Sequence, residues 1–157
     1  MTNVSYRRSN SADAQTVFEL VSRSVSRLAP TPYCQEVVDT WMVGRVAGDY
    51  QEDCAGKVIW IAELDGEPIG FAHGEAGEVV RLFVDADHTG LGAGAGLMQR
   101  ALEDALPNKS GIVKIEATLN AVPFYQRWGF AKVGNGVFSG RDENLPPIDI
   151  AILEKVF

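Results

Sequence analysis

The chain has 157 residues, 46% of them hydrophobic and 22% charged, with 14 Lys and Arg against 21 Asp and Glu and a formal net charge of −7. That length suits one domain over residues 1–157 with a core of its own, and the apolar content excludes a disordered segment. No run approaches the roughly 18 apolar residues of a membrane span, and the acidic balance argues against a nucleic-acid binder, whose affinity comes from clustered Lys and Arg.

The polar start Met1–Asn10 lacks the apolar core of a secretory signal. Val4–Arg8 reads as a first strand. Val17, Val21, Val25 and Leu28 recur at helical spacing until Pro30 and Pro32 stop the helix. Val37/Val38, Trp41/Met42 and Arg45/Val46 predict a second helix. Lys57–Glu63 and Glu67–His73 are strands joined by the hairpin signal Asp65-Gly66. After the turn Gly74–Gly77, Glu78–Val84 suits a central strand. Leu97, Met98, Ala101, Leu102 and Ala105 mark a helix closed by Pro107. Ile112–Ala117 is a strand, Val122–Trp128 a short helix stopped at Gly129, and Phe130–Val133 and Ile148–Glu154 complete the set. The expected fold is therefore α/β: a mixed, mostly antiparallel sheet of about seven strands with one parallel pair, flanked by about four helices. Cys34 and Cys54 lack a metal-ligand spacing and read as reduced thiols, so a cytoplasmic protein without a metal is expected.

The most informative segment is Val80–Leu97, VRLFVDADHTGLGAGAGL. Gly90, Gly92, Gly94 and Gly96 alternate between a strand end and a helix start, where missing Cβ atoms leave main-chain N–H groups open. The helix N-terminus adds unpaired donors and partial positive charge, so the loop is a cradle for a pyrophosphate. No Lys-Ser or Lys-Thr follows, which excludes a P-loop. Gly90-Leu91-Gly92-Ala93-Gly94-Ala95 also matches the dinucleotide pattern, with Glu116 near the ribose-binding position. Five residues from Asp85 to Thr89 separate strand from glycine, however, and only one parallel crossover exists. A dinucleotide-binding oxidoreductase is the poorer fit.

A second patch is Asn120–Phe130, with Pro123 in the first helical turn and Tyr125 one turn before Gly129. Leu82-x-Val84 with Thr89-Gly90-Leu91-Gly92-Ala93-Gly94 resembles the acetyl-CoA motif of the GNAT superfamily of N-acetyltransferases, written Q/R-x-x-G-x-G/A. Phe124-Tyr125-x-x-x-Gly129-Phe130 resembles the same superfamily's C-terminal motif. Thr89 stands where the pattern has Gln or Arg, and Ala86 where Pro is common.

The resemblance implies an acetyl-CoA-dependent N-acetyltransferase acting on a primary amine of a small molecule or peptide, with the parallel pair of strands splayed. The backbone of Leu82, Phe83 and Val84 would bond the pantetheine arm. The amides of Gly90, Leu91, Gly92, Ala93, Gly94 and Ala95 would hold the pyrophosphate, and Asn120 would touch the pantetheine. Tyr125 takes the family's position for the proton donor to the leaving thiolate, and Glu78 resembles the base, with His73, Glu75 and Glu116 as rivals. His88 reads as exposed. The acceptor pocket is expected between the first two helices and the C-terminal strands, lined by Tyr33 and Trp41 unless Trp41 is core, with Glu36 and Asp39 nearby. A homodimer fits the family's habit. A non-catalytic acyl-CoA-binding module is the competing reading: it would keep the cradle and lack a working acid and base.

Overall fold

The computed structural model describes residues 3–138 and 141–157; Met1 and Thr2 of the polar start lie outside it. Among the described residues seven strands form one sheet: β1 (Val4–Arg8), β2 (Ile59–Leu64), β3 (Glu67–Glu75), β4 (Glu78–Val84), β5 (Ile112–Thr118), β6 (Ala131–Val137) and β7 (Asp149–Val156). Their order is β1-β2-β3-β4-β5-β7-β6, antiparallel throughout except for β4 and β5. The helices are α1 (Ala14–Ser26), α2 (Gln35–Thr40), α3 (Gln51–Ala55), α4 (Ala93–Ala105) and α5 (Val122–Arg127).

Alternation along the strands feeds two cores. Ala62, Ala72, Val79, Val113, Ile115 and Leu153 face α4 and α5, where Leu97, Met98, Ala101 and Tyr125 meet them. Ile59, Ile61 and Phe71 face the other way, onto Val17, Leu20, Val21 and Val25 of α1 and onto Trp41, Tyr50 and Cys54. Gly74 of β3 lies so close to the Ala101 carbonyl of α4 that a Cβ there would overlap backbone. We expect Gly74→Ala to cost at least about 3 kcal/mol, the upper end for overpacking. In a thermal melt followed by circular dichroism, that corresponds to a drop of roughly 6–12 °C.

The second helix is shorter than its periodicity predicts. It ends at Thr40, and Gly44 at φ +81° turns the chain before a 3-10 turn, Ala47–Tyr50, leads into α3. The end is braced from across the fold: the Arg141 guanidinium donates to the Thr40 and Trp41 carbonyls at 3.1 Å, and the Thr40 carbonyl also accepts the Val43 N–H at 3.2 Å in the turn that follows. Among the described residues there are thus five α-helices where about four helices were expected, α3 being the addition.

Two irregularities interrupt the pairing of β4. The pair β4–β5 is held only at Glu78↔Lys114 and Val79↔Ile115, and beyond Val79 the two strands splay. On the β3 side, His73 pairs with Arg81 but Gly74 pairs with Val79, leaving Val80 as an extra, bulged residue. In a regular strand Glu78 and Arg81, three apart, would face opposite ways; with Val80 bulged they share a face with Phe83, toward α1.

Candidate functional site

The splay opens a cleft of about 480 Å³ between the C-terminal half of β4, the segment Ala86–Ala95, and α5. The Asp85 N–H bonds the Ile69 carbonyl at 2.7 Å, which fixes the alternation of β4. Phe83 therefore shares the β3 ladder, whereas the main-chain groups of Leu82 and Val84 turn into the opening. Phe83 meets the cleft through its side chain.

The glycine segment closes one end. Gly90 and Gly92 sit at φ +85° and +81°, a left-handed backbone that other L-residues rarely adopt, and a Cβ built on either would meet nothing within 4 Å. The first bond tying the loop into α4 is from Gly96 N–H to the Gly92 carbonyl at 3.1 Å. Among the described residues the amides from Gly90 to Ala95 meet no acceptor, so their donors are available to an anion at the head of a 13-residue helix. Gly90, Gly92, Ala93, Gly94 and Ala95 line the cleft; the side chain of Leu91 does not. Gly94 lets the Phe124 ring approach, a contact that periodicity did not reveal. Asn120 also lies on the wall. Replacing Gly92 by Ala would strain the loop by about 1–2 kcal/mol and displace its amides. If the loop amides hold a diphosphate, calorimetric titration with inorganic pyrophosphate is expected to show affinity falling by about tenfold.

Ion pairs fasten α1 to this segment, Arg23 to Asp85 at 3.4 Å and Arg27 to Asp87 at 2.9 Å. His88 departs from the expected exposure: its side chain is only 24% exposed, faces Asp85 at 3.6 Å and lines the same cleft.

A second cleft, of about 220 Å³, lies on the α1 side of the splay. The two share Leu82, Phe83, Thr118 and Tyr125. Tyr125 is 4% exposed, packed edge-on between Phe124 and Phe130, and burial alone pushes its phenol well above the usual tyrosine range. Glu78 and Glu116 both line this second cleft. Burial raises the Glu78 carboxyl above its ordinary value; Lys114 pulls it back, and Glu116 and Glu75 push it further up. Glu116 pairs with Lys114 at 3.4 Å.

His73 and Glu75 are absent from both walls. His73 is buried in the sheet between Asp53 at 3.9 Å and Glu75 at 3.7 Å, and burial lowers its imidazole below the ordinary value. Trp41 is core and cleft wall together, 2% exposed and stacked edge-on against Tyr33. Tyr33 has a bracing role instead: its hydroxyl donates to the Asp149 carbonyl at 2.6 Å and accepts from the Leu119 N–H at 3.0 Å. Glu36 and Asp39 lie on neither wall; Tyr50, Arg45 and Arg81, which the motifs did not single out, lie on the second.

Residues 30–140 match the family described as the Acetyltransferase (GNAT) domain. An uncharacterized N-acetyltransferase of Escherichia coli K12, YafP, is 24% identical over 133 residues, covering 85% of each chain. A GCN5-related N-acetyltransferase from Rhodopseudomonas palustris superposes with a TM-score of 0.87 at 21% identity, over 100% of this chain and 98% of that one. PaiA N-acetyltransferase from Thermoplasma acidophilum, solved in complex with coenzyme A, gives 0.68 at 20% identity over 99% of both.

Proposed function

Given that this chain belongs to the GNAT acetyltransferase family, we propose that it acts as a single domain, 1–157, transferring the acetyl group of acetyl-CoA to a primary amine by direct attack. The observation that carries the reading is the meeting of the two clefts at Tyr125. One cleft has a donor-lined end for a diphosphate, the other a pair of carboxylates.

Acetyl-CoA would lie along β4, its pantetheine amides bonding the main chain of Leu82 and Val84 where β5 has moved away, beside Phe83 and Asn120. Its diphosphate would take the loop amides from Gly90 to Ala95. The acceptor enters from the opposite side. An amine with a pKa near 10 is neutral in only about one molecule per thousand at pH 7, so attack requires a base. Glu78 takes that proton, directly or through one water, as the nitrogen forms its bond to the acetyl carbon. The tetrahedral oxyanion is held by a main-chain N–H of β4 turned to the opening. As the carbon–sulfur bond breaks, the Tyr125 hydroxyl protonates the thiolate. Such an enzyme belongs in the cytoplasm, where acetyl-CoA is available.

Release of free thiol from acetyl-CoA, measured across polyamines, amino acids, aminoglycosides and peptide N-termini, tests the reading. Turnover with at least one class is the expected result. Tight acetyl-CoA binding with no turnover on any of them would leave a binding module. Preference for NADH over acetyl-CoA in calorimetry would return the loop to dinucleotide chemistry.

A further inference from the structure

The second cleft carries more than its carboxylates. Arg45 and Arg81 line the same wall as Glu78 and Glu116, in a chain whose overall charge is −7. Arg81 stacks over the Tyr50 ring, its guanidinium carbon 5.4 Å from the ring centroid. Its Nη1 is buried without a hydrogen-bond acceptor, and Asp53 Oδ2, the carboxylate oxygen it faces, stands 3.8 Å away. Tyr50 is 2% exposed and also lines the cleft, yet its hydroxyl is buried with no hydrogen-bond partner among the described residues. Arg45 makes no ion pair among the described residues, and Arg141 beside it adds a further cation whose donors are spent on uncharged oxygens.

Buried donors without acceptors cost stability unless something supplies the missing oxygen. Two such donors, the Arg81 Nη1 and the Tyr50 hydroxyl, meet on one wall, and the half-buried Arg45 adds a second cation to it. The Val80 bulge places Arg81 on the same strand face as Glu78, their Cα atoms about two residue rises or roughly 7 Å apart. The cleft thus carries both signs of charge, Glu78 and Glu116 with Arg45 and Arg81, and Arg81 lies against Tyr50. At about 220 Å³ it is smaller than the roughly 300–1,000 Å³ usual for drug-sized ligands.

The geometry points to a carboxylate-binding subsite made by Arg45, Arg81 and the Tyr50 hydroxyl, so that the acceptor is a small zwitterion, a primary amine that also carries a carboxylate. This rests on the second cleft being the acceptor site of the proposed enzyme. The guanidiniums hold the carboxylate end and thereby present the amine to Glu78. An amine without the acid group lacks the anchor, and a carboxamide offers no charge to the guanidiniums.

The test compares matched ligands: free amino acids, their carboxamides, the corresponding decarboxylated amines, and dipeptides with a free C-terminus. Thiol release gives kcat/KM for each. Calorimetry on the protein saturated with CoA gives the affinity of each N-acetylated acid and its N-acetylated amide, a reading independent of turnover. The acid is expected to be favoured over its amide by about tenfold or more in both measurements, with amino acid against dipeptide telling which carries the carboxylate. In Arg45→Ala and in Tyr50→Phe that ratio is expected to fall toward one; both avoid the risk of misfolding that comes with removing the stacked Arg81. Equal affinity for acid and amide in the unaltered protein, or a ratio that survives Arg45→Ala, overturns the inference. Turnover that favours the decarboxylated amine does the same while the acetyltransferase reading stands. An acid preference in binding with no thiol release from any amine supports the subsite and sinks the catalytic reading instead.

Discussion

Changing Tyr125 to Phe is expected to lower kcat by about 10²–10⁴-fold, the usual contribution of a positioned proton donor. The side chain loses one oxygen and keeps its packing against Phe124 and Phe130, so the fold has no reason to respond. Burial raises the phenol above the ordinary tyrosine range, which keeps it protonated at neutral pH, the form that can donate. The KM for acetyl-CoA should stay within a few-fold, because the contacts proposed for its diphosphate are main-chain amides of Gly90 to Ala95, which the substitution leaves alone. Steady-state thiol release decides the matter: a loss below about threefold would mean that the departing sulfur takes its proton from solvent.

Glu78→Gln carries the second large effect, a fall of about 10²–10³-fold in kcat/KM near neutral pH. The sign of the pH dependence comes from the shift. A base works ionised, and desolvation holds the Glu78 carboxyl above its ordinary value. Activity is therefore expected to rise with pH through a limb lying above the usual carboxylate range, and to decline as pH falls through it. In Glu78→Gln that limb should vanish from the profile. Glu116→Gln is the comparison, since Glu116 lines the same cleft but is tied to Lys114. If the β5 substitution costs more than the β4 one, the proton goes to Glu116.

Much of the architecture was legible because it is written in local pattern. Apolar runs mark β2 and β4, Asp65-Gly66 marks a hairpin, and Gly90 and Gly92 supply the left-handed backbone of a loop whose amides as far as Ala95 meet no acceptor among the described residues. What stayed hidden depends on distant partners. Nothing near Thr40 announces that Arg141, a hundred residues on, will hold its carbonyl where α2 ends. Tyr33 looked like a pocket residue, but its hydroxyl is committed to Asp149 and Leu119. His88 looked exposed because its loop is polar; Asp85 draws it in. Arg45, Arg81 and Tyr50 carry no motif of their own, and strict period-two reading puts Arg81 on the wrong side of its strand.

That last error has a corollary for how this strand can change over time. Because Val80 is the unmatched residue opposite β3, removing one position there would restore a flawless ladder. Glu78 and Arg81 would then stand two apart, still on one face, and Val79 would keep its place beside Leu97 and Met98. Shortening at the bulge by a single codon leaves each neighbouring side chain on the face it already holds, whereas a residue lost from the paired stretch Arg81–Val84 would invert what precedes it.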